Sequence, residues 1–151
     1  MTTSLTDFRP VFQDRVLDLL WRQWSSLGGS GHAESWDGSL IDPEALVLTT
    51  CELGRYDARL FDAMLEWTDI NSRFLNIQRF KRIQTKHALA HEPVFGAFAE
   101  TVATSVTQAK WAKSWRTKDT PGHVSSPEPF FFLRDGRPLP VVGKADPTFA
   151  R

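Results

Sequence analysis

The sequence predicts a mainly α protein, a five-helix bundle with a proline-rich C-terminal β-hairpin appendage, and three observations carry that prediction. From Phe8 to Trp115 apolar residues recur at steps of three and four, the spacing that lines one side of an α-helix. Asp42-Pro43, Asp57 and the run Gly28 to Gly31 punctuate that stretch with helix starts and stops. Beyond Arg116 the prolines Pro121, Pro127, Pro129, Pro138, Pro140 and Pro147 exclude further long helices, because each lacks an N–H and clashes with the preceding turn.

The first helix is expected from Phe8 to about Leu27, with Asp7 as its cap, Pro10 in the first turn and Phe12, Val16, Leu19, Leu20, Trp24 and Leu27 along its buried side. The glycines that follow stop it, and the stretch to Ser39 reads as a loop anchored by Trp36. Asp42-Pro43-Glu44 starts a second helix that reaches Leu53 and ends at Gly54, combining a capping aspartate, proline at the first helical position and an acid near the positive helix end. Asp57 caps a third through about Trp67, and Asn71 or Ser72 a fourth through about His87, with Phe74, Ile77, Phe80 and Ile83 facing the core. A fifth runs from Pro93 to about Trp115. In the tail, two apolar runs from about 130 to 142 flank Arg134-Asp135-Gly136-Arg137, and Asp-Gly favours a tight hairpin turn. Pro138 and Pro140 lie on one side of their strand, which must therefore be an edge. The division is a helical domain over 1–116 and a tail over 117–151.

Composition narrows the function. A chain of 151 residues, 41% hydrophobic, with 6 Trp and 11 Phe, builds a core large enough to fold without staples. Its single cysteine, Cys51, excludes an internal disulfide and a cysteine-rich zinc site. No stretch has the eighteen or so uncharged apolar residues of a membrane span, and no leader pattern opens the chain, so the expected location is cytoplasmic. The net charge of +0 gives no global pull toward nucleic acid or an anionic membrane. Any electrostatic function must be local.

One local feature stands out. Asp42, Glu44, Glu52, Asp57, Asp62, Glu66 and Asp69 face only Arg55 and Arg59 across residues 42–69, whereas residues 71–91 hold Arg73, Arg79, Lys81, Arg82 and Lys86 and no acid. At about 100° per residue, Arg79, Arg82 and Lys86 share a stripe opposite the apolar side of the fourth helix. Arg73, Arg79, Arg82 and Lys86 are therefore the candidate nucleic-acid-binding residues, with Asn76, Gln78 and Gln84 for polar contacts. The competing reading pairs these bases with the acidic helices just before them, Asp62, Glu66 or Asp69 among the partners, or leaves them as solvated charge on an amphipathic face. A helix-turn-helix over Leu48 to Trp67 is disfavoured, since Asp62 and Glu66 would repel phosphates.

Other chemistry is weaker. Lys110, Trp111, Lys113, Trp115, Arg116 and Lys118 interleave bases with indoles, which suits stacking on bases, but tryptophans four apart with lysine stems over them are more simply core. His87 and His91 are four apart, yet no third ligand follows at metal spacing, and Cys51 sits in an apolar helix as a small core residue. No nucleophile elbow, phosphate loop or dinucleotide fingerprint occurs, so no cofactor and no metal are expected.

Ile41-Asp42-Pro43-Glu44-Ala45-Leu46, Leu53-Gly54-Arg55-Tyr56-Asp57-Ala58-Arg59-Leu60-Phe61 and Phe131-Phe132-Leu133-Arg134-Asp135-Gly136-Arg137-Pro138-Leu139-Pro140 resemble the amino-terminal half of an uncharacterised bacterial family. In that family a helical region and a proline-containing stretch precede a winged helix similar to abortive-infection antitoxins and other transcriptional regulators. The resemblance implies a regulatory role without a catalytic motif; it spans about Ile41 to Arg151, and the chain stops where the winged helix would begin. The function expected is thus a non-enzymatic regulatory or interaction domain that binds a protein partner, a second copy through the hairpin, or DNA, with no membrane partner. The alternative is a small helical enzyme or toxin with its site near His87 and His91.

Overall fold

The computed structural model describes residues 5–28, 38–90, 92–105, 110–113 and 129–139, and the protein they form is mainly α. Five α-helices follow in order: α1 (Leu5–Ser26), α2 (Pro43–Leu53), α3 (Ala58–Asn71), α4 (Ile77–His87) and α5 (Glu92–Ser105), with 3-10 turns at Gly54–Tyr56 and Ser72–Phe74. Residues 110–113 are also helical. Among the described residues no helix is long and apolar enough to cross a membrane.

α2 is the centre. Leu46, Val47, Leu48 and Cys51 are all fully buried, and the helix lies against α1, α3, α4 and α5. A helix apolar on all sides belongs in the interior. The Asp42 carboxylate accepts the N–H groups of Glu44 at 3.2 Å and Ala45 at 3.4 Å, satisfying two donors that the first turn leaves unpaired. Gly54 closes the helix but continues the chain into the 3-10 turn.

α1 starts at Leu5, upstream of the expected cap, so Asp7 lies inside the helix. Its buried stripe is Leu17, Leu20, Gln23 and Trp24. Phe12, expected inside, is 67% exposed. Leu20 and Trp24 are buried as expected, and Val16 and Leu27 pack partly against the core. A polar residue also serves the interior: the Gln23 carboxamide accepts the N–H of Ile41 at 2.8 Å and donates to the Ser39 carbonyl at 3.3 Å, supplying partners that this loop backbone would otherwise lack. Three indoles pin α1 to its neighbours, as Trp24 donates to the Thr50 hydroxyl at 3.0 Å, Trp21 to Asp57 at 3.0 Å, and Trp67 to the Leu27 carbonyl at 3.1 Å. Gly28, at φ 84°, stops the helix in the left-handed conformation that glycine adopts most readily.

α3 is capped by Asp57, which accepts from Arg59 at 3.1 Å and Leu60 at 3.3 Å, and runs to Asn71, past the expected end at Trp67. α4 corrects the sequence reading. Its cap is Asn76, not Asn71 or Ser72, and the Asn76 side chain accepts from Gln78 N–H at 2.8 Å. Phe74 therefore falls in the 3-10 turn and is 66% exposed, while Phe80 alone of the expected row is fully buried. Phe80 joins Phe95, Phe98 and Trp111 in an aromatic cluster with ring centroids 4.9–6.4 Å apart. Burying such side chains contributes about 1.5–3 kcal/mol each.

The segment 129–139 folds back onto the helices. No β-strand forms among the described residues; the hairpin consists of a single antiparallel bridge, Phe132 with Pro138. Leu133 N–H donates to Arg137 at 2.7 Å and Gly136 N–H to Leu133 at 2.8 Å, with Gly136 at φ 84°, a three-residue loop closed by a left-handed glycine. The turn sits where Asp-Gly predicts it. The roles expected for Trp36, His91, Val106, Trp115, Pro140 and Val142 fall outside the described residues.

Candidate nucleic-acid interface

α4 is strongly two-sided. Phe80 is buried, Ile77 and Ile83 pack partly against the core, and Gln78, Arg79, Arg82, Thr85 and Lys86 face outward. Lys86 and His87 occupy its last turn, where cations favour the negative helix end. The helix closes on Ala88 in the left-handed conformation, φ 47°, with Ala88 N–H bonded to Gln84 at 2.8 Å.

The four candidate cations have different surroundings. Arg79 is committed. Its guanidinium pairs with the Asp42 Oδ2 atom, and its Nε lies 3.6 Å from Glu44 Oε2. Glu44 is buried, and its other oxygen accepts the Asn76 N–H at 3.1 Å. Asp42 and Glu44 thus hold the start of α2 against the start of α4. Arg79 pairs with acids of the run that precedes α4, as the competing reading expects, and its partners are Asp42 and Glu44 at the start of α2, not Asp62, Glu66 or Asp69 on α3. Arg82 and Lys86, one and two turns farther along, are exposed. Arg73 precedes them in the 3-10 turn with its guanidinium 4.7 Å from the centroid of the Phe74 ring. Ile70, 72% exposed, adds an apolar side chain at the same corner. The Phe74 and Ile70 exposure was not legible from periodicity; the signal available was Asn76, a capping residue that breaks the row of three.

Elsewhere the chemistry is structural. His87 is exposed at the end of α4, and among the described residues no three metal-capable side chains cluster. Burial, with the charge of Glu52 second, pushes the Cys51 thiol well above its ordinary value, the state of an inert thiol. Trp111 is buried, between Lys110 and Lys113 on the surface.

Two grooves flank the tail segment. One, of about 470 Å³, lies between α3 and α5, with Phe61, Leu65 and Phe98 as its floor and Phe130 and Phe131 as a wall. The other lies between α1 and the hairpin loop, where Gln13, Tyr56, Phe132 and Arg134 line it. Neither contains His87 or any of the four cations. Arg55, one of two bases in the acidic run, positions the tail: its Nε donates to the Phe130 carbonyl at 2.8 Å, its second nitrogen to Pro129 at 3.0 Å, and its guanidinium lies 4.8 Å from the Phe132 centroid.

Compared with protein-family models, with curated proteins and with solved structures, the chain matches none.

Proposed function

We propose that this chain is a non-enzymatic interaction domain of a bacterial regulatory or defence-type system, working in the cytoplasm, and that its face around α4 binds nucleic acid. The carrying observation is the placement of Arg73, Arg82 and Lys86, all exposed on a segment that holds no acid between residues 71 and 91. Cations on a convex helix can meet phosphates, and an exposed Phe74 beside an arginine offers a surface on which bases stack. In this reading a five-helix bundle carries the interface and the proline-rich hairpin is its appendage. The resemblance of the Asp42, Tyr56 and Arg134 segments to regulator-type proteins supports the class. The alternative is a small helical enzyme or toxin with its site near His87 and His91; His87 is exposed at the end of α4 and His91 lies outside the described residues.

The test is fluorescence anisotropy with labelled duplex and single-stranded oligonucleotides at two salt concentrations. Binding weakens with salt as condensed counterions are released, and R73Q/R82Q/K86Q lowers both the affinity and the slope of log affinity against log salt, by roughly one per phosphate contact removed. Wild-type protein that shows no salt-sensitive binding refutes the nucleic-acid reading and leaves a protein partner, for which Arg73 and Phe74 are of residue types enriched at interfaces.

A further inference from the structure

We infer that the groove between α3 and α5 is a docking site for a short segment of a partner protein, with a leucine or aromatic anchor flanked by lysine or arginine. The inference is independent of the α4 face. It begins with the floor and wall: Phe61, Leu65 and Phe98 from the helices and Phe130 and Phe131 from the tail line an open groove of about 470 Å³. Phe61 stands perpendicular to both tail rings, at 5.3 and 5.7 Å, so the wall is fixed against the floor by the aromatic contact itself.

The rim defines the occupant. Thr101 and Thr104 border the groove, but their hydroxyls donate to carbonyls of α5, Thr101 to Ala97 at 2.9 Å and Thr104 to Thr101 at 2.8 Å. Among the described residues the charged groups that line the groove are Asp62 and Glu100, both acidic. An apolar trough between two carboxylates complements an apolar anchor with cationic neighbours and opposes phosphates and acidic peptides. Helix-in-groove and extended-peptide recognition both work in this way, with the anchor giving affinity and the rim giving selectivity.

The experiment is selection of a displayed random-peptide library against the whole chain, followed by titration of the synthesised winners. The expected result is enrichment of peptides with a leucine or aromatic anchor and flanking lysine or arginine. D62K/E100K weakens their binding about tenfold at low salt, and selection on that variant returns acidic flanks. D69K, on the same helix but outside the groove, leaves binding unchanged. R55A, which releases the wall, weakens binding while the helical circular dichroism persists. The inference is overturned if no peptide is enriched, if the winners carry no basic bias, or if D62K/E100K leaves affinity unchanged. It is equally overturned if the wild type sediments as a dimer that D62K/E100K dissociates, because the occupant is then a second copy.

Discussion

Glu44 and Asn76 are 32 residues apart, and the Glu44 Oε1 atom accepts the Asn76 backbone N–H at 3.1 Å. The same carboxylate faces the Arg79 guanidinium, so one buried side chain joins the starts of two helices. Glu44→Ala removes an acceptor from a partly buried donor and should lower stability by about 1–3 kcal/mol. Arg79→Gln, half exposed, should cost about 1 kcal/mol or less. R73Q/R82Q/K86Q touches no such knot, and its thermal melt should stay within about 0.5 kcal/mol of wild type. Thermal and guanidinium melts separate the three, and this order distinguishes Arg79 as a structural cation from the others.

Ala88 closes α4 at φ 47°, a conformation that costs an L-residue with a Cβ roughly 1–2 kcal/mol. Ala88→Gly should therefore raise the melting temperature, by up to about 1 kcal/mol of stability after the greater flexibility of glycine in the unfolded chain is counted. A lower melting temperature would mean that the Ala88 methyl packs usefully.

Arg55 makes two charge-assisted bonds to tail carbonyls, and its own carbonyl accepts the Phe132 N–H at 2.8 Å. Arg55→Ala should cost about 1.5–3 kcal/mol, as expected for hydrogen bonds from a charged donor. Hydrogen exchange should show lost protection at Phe132 and Leu139 while α2 and α3 keep theirs. Truncation after Arg116 should lower the melting temperature by more, because Phe61 then loses two of its three ring partners, Phe130 and Phe131, and keeps Phe98.

Cys51 is fully buried with its thiol pushed well up. It should be silent to Ellman's reagent in the native protein at pH 8 and react fully in guanidinium chloride, since the thiolate is the reactive form. Rapid modification of native protein would show that α2 opens locally.

Asp135 accepts the Arg137 N–H at 3.0 Å and the Arg137 side chain at 2.6 Å, and these bonds hold its carboxyl below the ordinary value. A depressed folded pKa means that the unfolded chain binds the proton more readily, so this contribution is present above about pH 3.9 and is lost as pH falls through the folded value. An NMR titration of the Arg137 amide should show a midpoint below that of a free aspartate, and Asp135→Asn should abolish it. A midpoint at the ordinary value would show the loop unformed in solution.

Local signals were legible because their cause lies within a few residues. Asp42 caps α2 through Glu44 and Ala45, and Asp57 caps α3 through Arg59 and Leu60; each cap is read from one turn of sequence. Gly136 is similar. The α4 start was not legible in this way, because Asn71 and Ser72 are equally good capping types and the choice of Asn76 is supported by Glu44, far back in the chain. The burial of Gln23 was not legible for a related reason: its partners lie on a loop 16 and 18 residues away. For the candidate site, the basic segment could be read from composition, but the assignment of Arg79 to Asp42 and Glu44 required the packing of α4 on α2. The groove required three separated segments, α3, α5 and the tail, and no single stretch announces it.

The Arg55 clamp also has a consequence for biosynthesis. Arg55 and Phe130 are 75 residues apart, and a ribosome adding roughly 5–20 residues per second needs roughly 4–15 s to pass from one to the other. During that interval α2 and α3 can emerge and pair, but the Phe61 ring still lacks Phe130 and Phe131. The nascent chain therefore lacks that cover on Phe61 until Phe130 and Phe131 leave the exit tunnel. Chaperone demand should fall once residues 130 and 131 have emerged and closed over Phe61.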